Sequence, residues 1–516
     1  MSELRTHDVQ SDVTTMATKK DWIGLIVLAL AVLLIAVDGT VLDLALPFIS
    51  ADLAPTSNQL LWIIDVYSFV LAGLLITMGT LGDRIGRRKL LLLGAAGFGV
   101  ASVVAGLSTS PDMLIAARVL QGLSGATLMP ATLGLIRTMF ADARQRTTAI
   151  GVWGAMAGGG AAAGPLVGGW ILEHFWWGAV FLINIPVMVL LILLGPFVIP
   201  ESKDPNPGKF DLVSAALSML ALVPLVYAVK ETATHGVSVV NVLAAVVGVA
   251  AGVVFVRRQR MLDDPMIDLR LFSNPAFSTA VFTNFLSVFA LAGVLFFGAQ
   301  YLQLVLGYSP LEAGLLMLPG TASSIVMSLM AAYLVRIWRP GTVLAGGLAL
   351  SALGPALLYG LGVSSGPALF VGGFVLIGVG AGVALTLTSD LVVGAVPPKK
   401  AGAASAVSET AYELGIALGV AVLGTVVMSF FRRGLDVSGL DSAQAATAQE
   451  TLGGAVEVSR SLPEQAAALL ADSAHTAFVT GMHVASVATA VLLALTAVVV
   501  AVRLRTRARV VGPGAD

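Results

Sequence analysis

Gly79-Thr80-Leu81-Gly82-Asp83-Arg84-Ile85-Gly86-Arg87-Arg88-Lys89 lies between two apolar runs, 59–81 and 89–109. Each run has the roughly 20 mostly apolar residues that a bilayer-spanning helix needs. The string between them reads as a tight turn at a membrane surface. Its glycines permit the turn and let helices approach closely. Its arginines can anchor at anionic headgroups. Asp83 is suited to bond the free amides of a helix end, or an arginine.

Reading outward from this turn gives fourteen stretches of the same kind. They run at about 22–46, 59–81, 89–109, 112–136, 147–172, 177–199, 211–229, 238–257, 276–304, 311–335, 341–362, 367–395, 402–430 and 477–502. Helix is the form expected, because a membrane barrel would show alternating segments of ~10 residues. Composition agrees: 57% of the residues are apolar and 11% charged, against about 25% charged in soluble proteins. The absence of cysteine excludes disulfides and thiolate metal sites, and the five histidines are scattered. No metal centre is expected. A net charge of −1 implies no nucleic-acid partner. Residues 1–20 are polar and mixed in charge, unlike a cleaved secretory leader, so a cytoplasmic N-terminal tail is expected.

Basic residues gather in cytoplasmic connections. Here they follow the even-numbered stretches: Arg84, Arg87, Arg88 and Lys89; Arg137, Arg144 and Arg146; Lys203 and Lys209; Arg257, Arg258, Arg260 and Arg270; Arg336 and Arg339; Lys399 and Lys400. With Arg5, Lys19 and Lys20 at one end and Arg503, Arg505, Arg507 and Arg509 at the other, 24 of the 29 fall on one side. Both termini are therefore expected in the cytoplasm, in a multi-pass protein of the inner (plasma) membrane. The bias toward arginine over lysine, with much alanine, glycine and valine, suggests a bacterium of GC-rich genome. The connection 431–476 is then external. Its pieces 444–460 and 464–475, parted by Pro463, predict a small helical hairpin.

Three further strings stand at particular places. The first stretch holds Asp38-Gly39-Thr40-Val41-Leu42-Asp43-Leu44-Ala45-Leu46-Pro47. The fourth holds Arg118-Val119-Leu120-Gln121-Gly122-Leu123-Ser124-Gly125-Ala126. The fifth holds Gly160-Ala161-Ala162-Ala163-Gly164-Pro165-Leu166-Val167-Gly168-Gly169. Together with the opening string and Trp62-Ile63-Ile64-Asp65-Val66-Tyr67-Ser68, the chain resembles, over nearly its whole length, the fourteen-span drug:proton antiporters of QacA type in the major facilitator superfamily. The resemblance implies an all-α membrane fold of two six-helix bundles with an inserted helix pair. The expected division is a tail 1–20, a first bundle 21–200, inserted spans 201–260, a second bundle 261–503 including the external loop, and a tail 504–516. It implies gating roles for Gly79, Asp83, Arg84, Gly86 and Arg87, and for Gly160, Gly164, Pro165, Gly168 and Gly169. After the tenth stretch only Arg336-Ile337-Trp338-Arg339-Pro340-Gly341 remains of the loop motif.

A charge at the bilayer centre costs at least ~2.5–3.5 kcal/mol on insertion scales, which makes intramembrane charges functional candidates. Asp38 lies about 16 residues into its stretch, ~24 Å along a helix. Asp65 sits in the outer third of the second stretch. Glu409 and Glu413, in Ser408-Glu409-Thr410-Ala411-Tyr412-Glu413-Leu414-Gly415, are four apart and share a helix face. Two carboxylates that close in low dielectric resist joint ionisation, so one is expected to carry a proton. Arg118, the one base inside a stretch, is expected to partner an acid. Asp390 falls at a membrane boundary, where solvation explains it, and Asp43 lies near the outer end of the first stretch.

Acids thus outnumber bases in the membrane. The expected function is proton-coupled export of lipophilic cations, such as quaternary ammonium compounds and dyes like ethidium, with Asp38, Asp65, Glu409, Glu413 and Arg118 as the binding and coupling residues. Leu318-Pro319-Gly320-Thr321-Ala322-Ser323-Ser324 lacks the acid that some relatives carry there, which points to monovalent cations. The alternative is a narrow exporter of one endogenous metabolite or antibiotic. No enzyme activity or cofactor is expected, the proton gradient being the drive. An ATP-driven pump is excluded by the lack of a G-x-x-x-x-G-K-[ST] loop. Partners are the cations, protons and membrane lipids, around a monomer.

Overall fold

A computed structural model describes residues 16–205, 211–263 and 265–504. Arg5, Lys209, Arg505, Arg507 and Arg509 lie outside the described residues. The described chain is helical, with no strand. Its first helices are α1 (Lys19–Leu53), α2 (Ser57–Ile85), α3 (Arg87–Gly106), α4 (Pro111–Met139), α5 (Ala143–His174), α6 (Ala179–Leu182) and α7 (Asn184–Val198). Then come α8 (Leu212–His235) and α9 (Val239–Met261). The remainder are α10 (Pro275–Gln300), α11 (Pro310–Leu334), α12 (Pro340–Leu358), α13 (Ala368–Gly394), α14 (Ala401–Gly434), α15 (Ser442–Glu450), α16 (Leu452–Arg460) and α17 (Glu464–Arg503). Thr18, Thr56 and Ser309 open α1, α2 and α11 through capping boxes with Asp21, Gln59 and Glu312, satisfying amides that a helix start leaves unpaired.

Thirteen described helical segments are long and apolar enough to cross a membrane, with α6 and α7 together forming one of them. α5 makes the fourteenth, in two arms, 143–161 and 166–174, bent by 45°. Pro165 stands at the bend and has no N–H to return to the carbonyl of residue 161; its side chain, like that of Asp43, lies outside the described residues.

α1 to α7 form one six-span bundle, in which α5 packs on α1, and α4 on α2 and α3. α10 to α14 with α17 form the other, built on α11–α13, α12–α13, α10–α14 and α12–α17 contacts. α8 packs on α2 and also on α14, so the inserted pair lies along one side of the seam between bundles. α9 packs chiefly on α8 and turns Val239, Val242, Val246, Val249 and Val253 outward. In water that face would be costly, but against lipid tails it is not.

Both described chain ends lie where the basic connections lie, here called the basic end. The Ala17 amide donates to Gln145 Oε1 at 2.8 Å, and Gly341 packs against Leu504. At the opposite end, the expected hairpin is present with shifted boundaries. α15 and α16 are its two arms, nine residues each, while 464–475 is not an arm but the first turns of α17. Ala448, Leu452, Ala455 and Val458 are buried in one cluster with Phe431, Leu470 and Ala474. That shared core docks the hairpin on the ends of α14 and α17.

Candidate functional site

The string at 79–89 forms a latch between bundles at the basic end. Asp83, 7% exposed, accepts from the amides of Gly402 (3.0 Å) and Ala403 (2.9 Å). It therefore caps α14 from the other bundle, its charge facing the positive end of that helix. Arg87 is fully buried and donates through Nε to Asp83 at 2.7 Å. Its other nitrogens reach Ser202 Oγ (2.8 Å) and the Pro398 carbonyl (2.6 Å). Gly86 has a φ of +113°, and a Cβ there would meet the Glu201 carboxylate at 2.7 Å. Glu201 in turn accepts the first amides of α3, from Arg88 (3.1 Å) and Lys89 (3.2 Å). Gly79 lets α2 touch α14, since a Cβ would stand 2.6 Å from the Gly402 carbonyl oxygen and from Ala406 Cβ. Arg84 is half-buried in the last turn of α2.

A second latch was not legible in the sequence. Asp390, read there as solvated, instead accepts from Arg146 Nε (2.6 Å) and Thr147 Oγ1 (2.6 Å) of the other bundle. Beside it, Arg137 Nε donates to the Val393 carbonyl at 3.0 Å, and Ser328 Oγ to the Gly151 carbonyl at 3.0 Å. Even the reduced loop after α11 contributes, Arg336 donating to Thr148 Oγ1 at 3.3 Å.

Asp38 and Arg118 meet inside the first bundle. Arg118 Nη1 donates to Asp38 Oδ2 at 3.0 Å, with the two side chains 2% and 0% exposed. Asp38 Oδ1 accepts from Asn184 Nδ2 (2.8 Å) and Gln121 Nε2 (3.3 Å), and Ser102 Oγ accepts from both amides. The Arg118 guanidinium lies 4.4 Å from the centroid of the Tyr67 ring, within cation–π range. Gln121, Asn184, Ser102 and Tyr67 were not singled out from sequence. Gln121 and Tyr67 stand inside the quoted strings, whereas Asn184 and Ser102 carry no local signal.

Glu409 and Glu413 both border a cavity of about 300 Å3 at the seam. Glu409 is 4% exposed. Tyr67, Met129, Trp153 and Tyr412 supply aromatic and thioether surface, and among the described residues no lysine or arginine lines the cavity. Gly39 and Thr40 line it, but their neighbour Asp38 does not. Asp65 is half-buried on α2 and is also not a lining residue. Tyr67 thus lines the cavity and also carries the Arg118 guanidinium of the Asp38–Arg118 network over its ring.

The glycines of α5 form the contact with α1. A Cβ on Gly160 would strike the Leu33 carbonyl, on Gly164 the Thr40 hydroxyl, and on Gly168 the Val41 side chain at 2.5 Å. Spaced four apart, they lie on one face. Gly169 falls off that face and has nothing within 4 Å.

The family model described as Major Facilitator Superfamily matches residues 28–420. The chain is 47% identical over 493 residues to the multidrug efflux pump LfrA of Mycolicibacterium smegmatis, covering 95% of this chain and 98% of that protein. It is 37% identical over 484 residues to the methyl viologen resistance protein SmvA of Salmonella typhimurium, covering 93% and 97%. Among solved structures, the human organic anion transporter MFSD10 (TETRAN) superposes with a TM-score of 0.61 at 18% identity, over 93% of this chain and 99% of that one. At that identity the likeness concerns the fold.

Proposed function

Because the chain belongs to the Major Facilitator Superfamily, we propose that it exports lipophilic cationic drugs in exchange for protons, by alternating access. The observation that carries this reading is the pair Glu409 and Glu413 in a cavity lined mainly by apolar and aromatic groups, with Thr40 and Ser68 as its small hydroxyls and no basic residue among the described residues of its lining. Fixed negative charge in low dielectric attracts a cation, aromatic faces add cation–π contact, and a Met-bearing wall adapts to varied shapes. The names of the relatives, a multidrug efflux pump and a methyl viologen resistance protein, support drug export.

In the proposed cycle, proton and cation compete for the two glutamates. A proton arriving from outside releases the cation outward; loss of that proton inside restores affinity. Asp38, Arg118 and Tyr67 would report the occupancy of the cavity to the first bundle, and Asp65 would act on the approach to the site rather than within it. The Asp83 and Asp390 latches would hold the basic end shut in one half of the cycle. The glycine face of α5, with Pro165 at its bend, would let α5 rock on α1. The proposed exporter is a monomer among the lipids of a bacterial inner membrane, with both termini cytoplasmic and divided at 21–200, 201–260 and 261–503; it prefers monovalent quaternary ammonium compounds and dyes and uses no cofactor beyond the gradient.

The test is pH-gradient dissipation in inverted vesicles on adding ethidium. Wild type should dissipate the gradient, and Glu409→Gln and Glu413→Gln should not, at equal protein level. Export of ethidium by wild type with no proton movement would refute the coupling. Failure of wild type with ethidium and an unrelated quaternary ammonium compound alike would favour a narrow exporter.

A further inference from the structure

A polar atom buried in a membrane protein needs a partner, because no lipid can supply one, and an unpaired one calls for a bound water or ion. Seven buried side-chain nitrogens or oxygens lack a hydrogen-bond partner among the described residues, and three of them sit on one helix. They are Thr279 Oγ1, Asn284 Oδ1 and Ser287 Oγ of α10, residues only 4%, 2% and 5% exposed. Thr279, Thr283 and Ser287 are four apart and form one stripe, with Asn284 beside it. The stripe is about 12 Å long at the rise of an α-helix. α10 packs against α13, α14 and α17, so buried residues on it face protein, not lipid.

The orientation of Asn284 is fixed. Its Nδ2 donates to the Ser408 carbonyl at 3.0 Å and to Ser408 Oγ at 3.3 Å. A carbonyl can only accept, so the amide nitrogen must face it and Oδ1 is left over. Water suits such a place, since it donates to the amide oxygen and can accept from or donate to the hydroxyls. Ser408 is followed by Glu409, which borders the cavity. The polar stripe therefore passes one residue behind the cavity carboxyl, with Thr279 on the basic-end side of Asn284 and Ser287 one turn beyond it on the other side.

Toward the basic end it stops. Phe277, Val281, Val392, Val396 and Ala401 are buried in one apolar cluster. Ala401 is the first residue of α14, beside the amides that Asp83 caps. Release of the latch would loosen this plug. Other charges do not compete at this depth. α10 has none, the one charged residue of α13 is the paired Asp390, and α17 offers only His483, which contacts the Leu361 carbonyl. On α14 the mid-membrane charges are Glu409 and Glu413.

We propose that water bound along Thr279, Asn284 and Ser287 relays the proton from Glu409 toward the basic end, and that the Phe277 cluster keeps this relay closed while the bundles are latched. The inference rests on reading Glu409 as a proton-carrying site. One proton passes from the carboxyl group to the nearest water while another leaves the far water for solvent, so Glu409 is left ionised and the relay unchanged. A relay closed while the cavity takes a proton from the other side prevents a leak.

The test uses the full chain in vesicles, with Asn284→Leu, and with Thr279→Val and Ser287→Ala as near-isosteric changes should the first fail to fold. Ethidium binding, read by fluorescence, should stay within about twofold of wild type. Ethidium-driven proton flux should fall about tenfold or more, as when a positioned proton-transfer partner is lost. A merely structural role would move both readouts together, and that result overturns the relay. So does wild-type flux in the variants while Glu409→Gln is uncoupled, which leaves the cavity reading standing. Normal coupling in Glu409→Gln would instead overturn the cavity reading and the relay with it.

Discussion

Arg87 and Arg118 are both buried guanidinium groups in a membrane protein, and each is matched by a carboxylate of its own bundle. Breaking such a buried pair from one side costs about 3–5 kcal/mol, because a charge is left without its counter-ion. Asp38→Asn should therefore lower the thermal stability of the purified protein strongly, and Asp38→Asn with Arg118→Gln should be less damaging than the single change. A double-mutant cycle read by unfolding in detergent checks this, and additive losses would show that the two do not act as a pair. Asp83→Asn should act differently, because its carboxylate joins the bundles. It should open the basic end, and nitroxides at Ile85→Cys and Lys399→Cys should then report a longer distance. The chain has no cysteine of its own to interfere. Asp83 and Arg87 were legible as a pair because they stand four apart within the string itself, but the α14 amides that Asp83 caps lie more than 300 positions away and were not. Asp390 was not, since Arg146 lies 244 positions away and nothing near either residue names the other.

At the scale of the helix, α5 shows that one motif mixes two kinds of glycine. Gly160, Gly164 and Gly168 carry the α1 contact, and Gly169 has open space. Overpacking a close contact costs about 1–3 kcal/mol. Gly164→Val should therefore reduce ethidium efflux and stability together, while Gly169→Ala should leave both near wild type. Efflux assays at matched protein levels decide it, and equal loss from both would mean that helix contact is not what the motif supplies. The motif string cannot tell these glycines apart. Their helical spacing can, once the partner helix is known. The hairpin boundaries failed for a similar reason: 464–475 has ordinary helix-forming composition, and only the unbroken helix Glu464–Arg503 shows that it belongs to α17.

At the scale of the molecule, the run of apolar stretches made the fourteen-span fold legible, because a membrane demands the same length of helix each time. How the bundles meet was not legible, because the seam is made of contacts between residues hundreds of positions apart. In this structure the seam is tied at the basic end by α2 with α14 and by α5 with α11 and α13. If transport alternates access, these contacts must separate once per cycle. A Cβ at Gly151 of α5 would stand 2.8 Å from the Ser328 carbonyl oxygen of α11, so no side chain fits there while the two helices are in contact. Gly151→Val should therefore hold α5 and α11 apart at the basic end, and ethidium efflux at matched protein level should fall several-fold. Unchanged efflux in that variant would mean that this contact need not re-form in each cycle, and closure of the basic end would have to pass entirely through the Asp83 side of the seam.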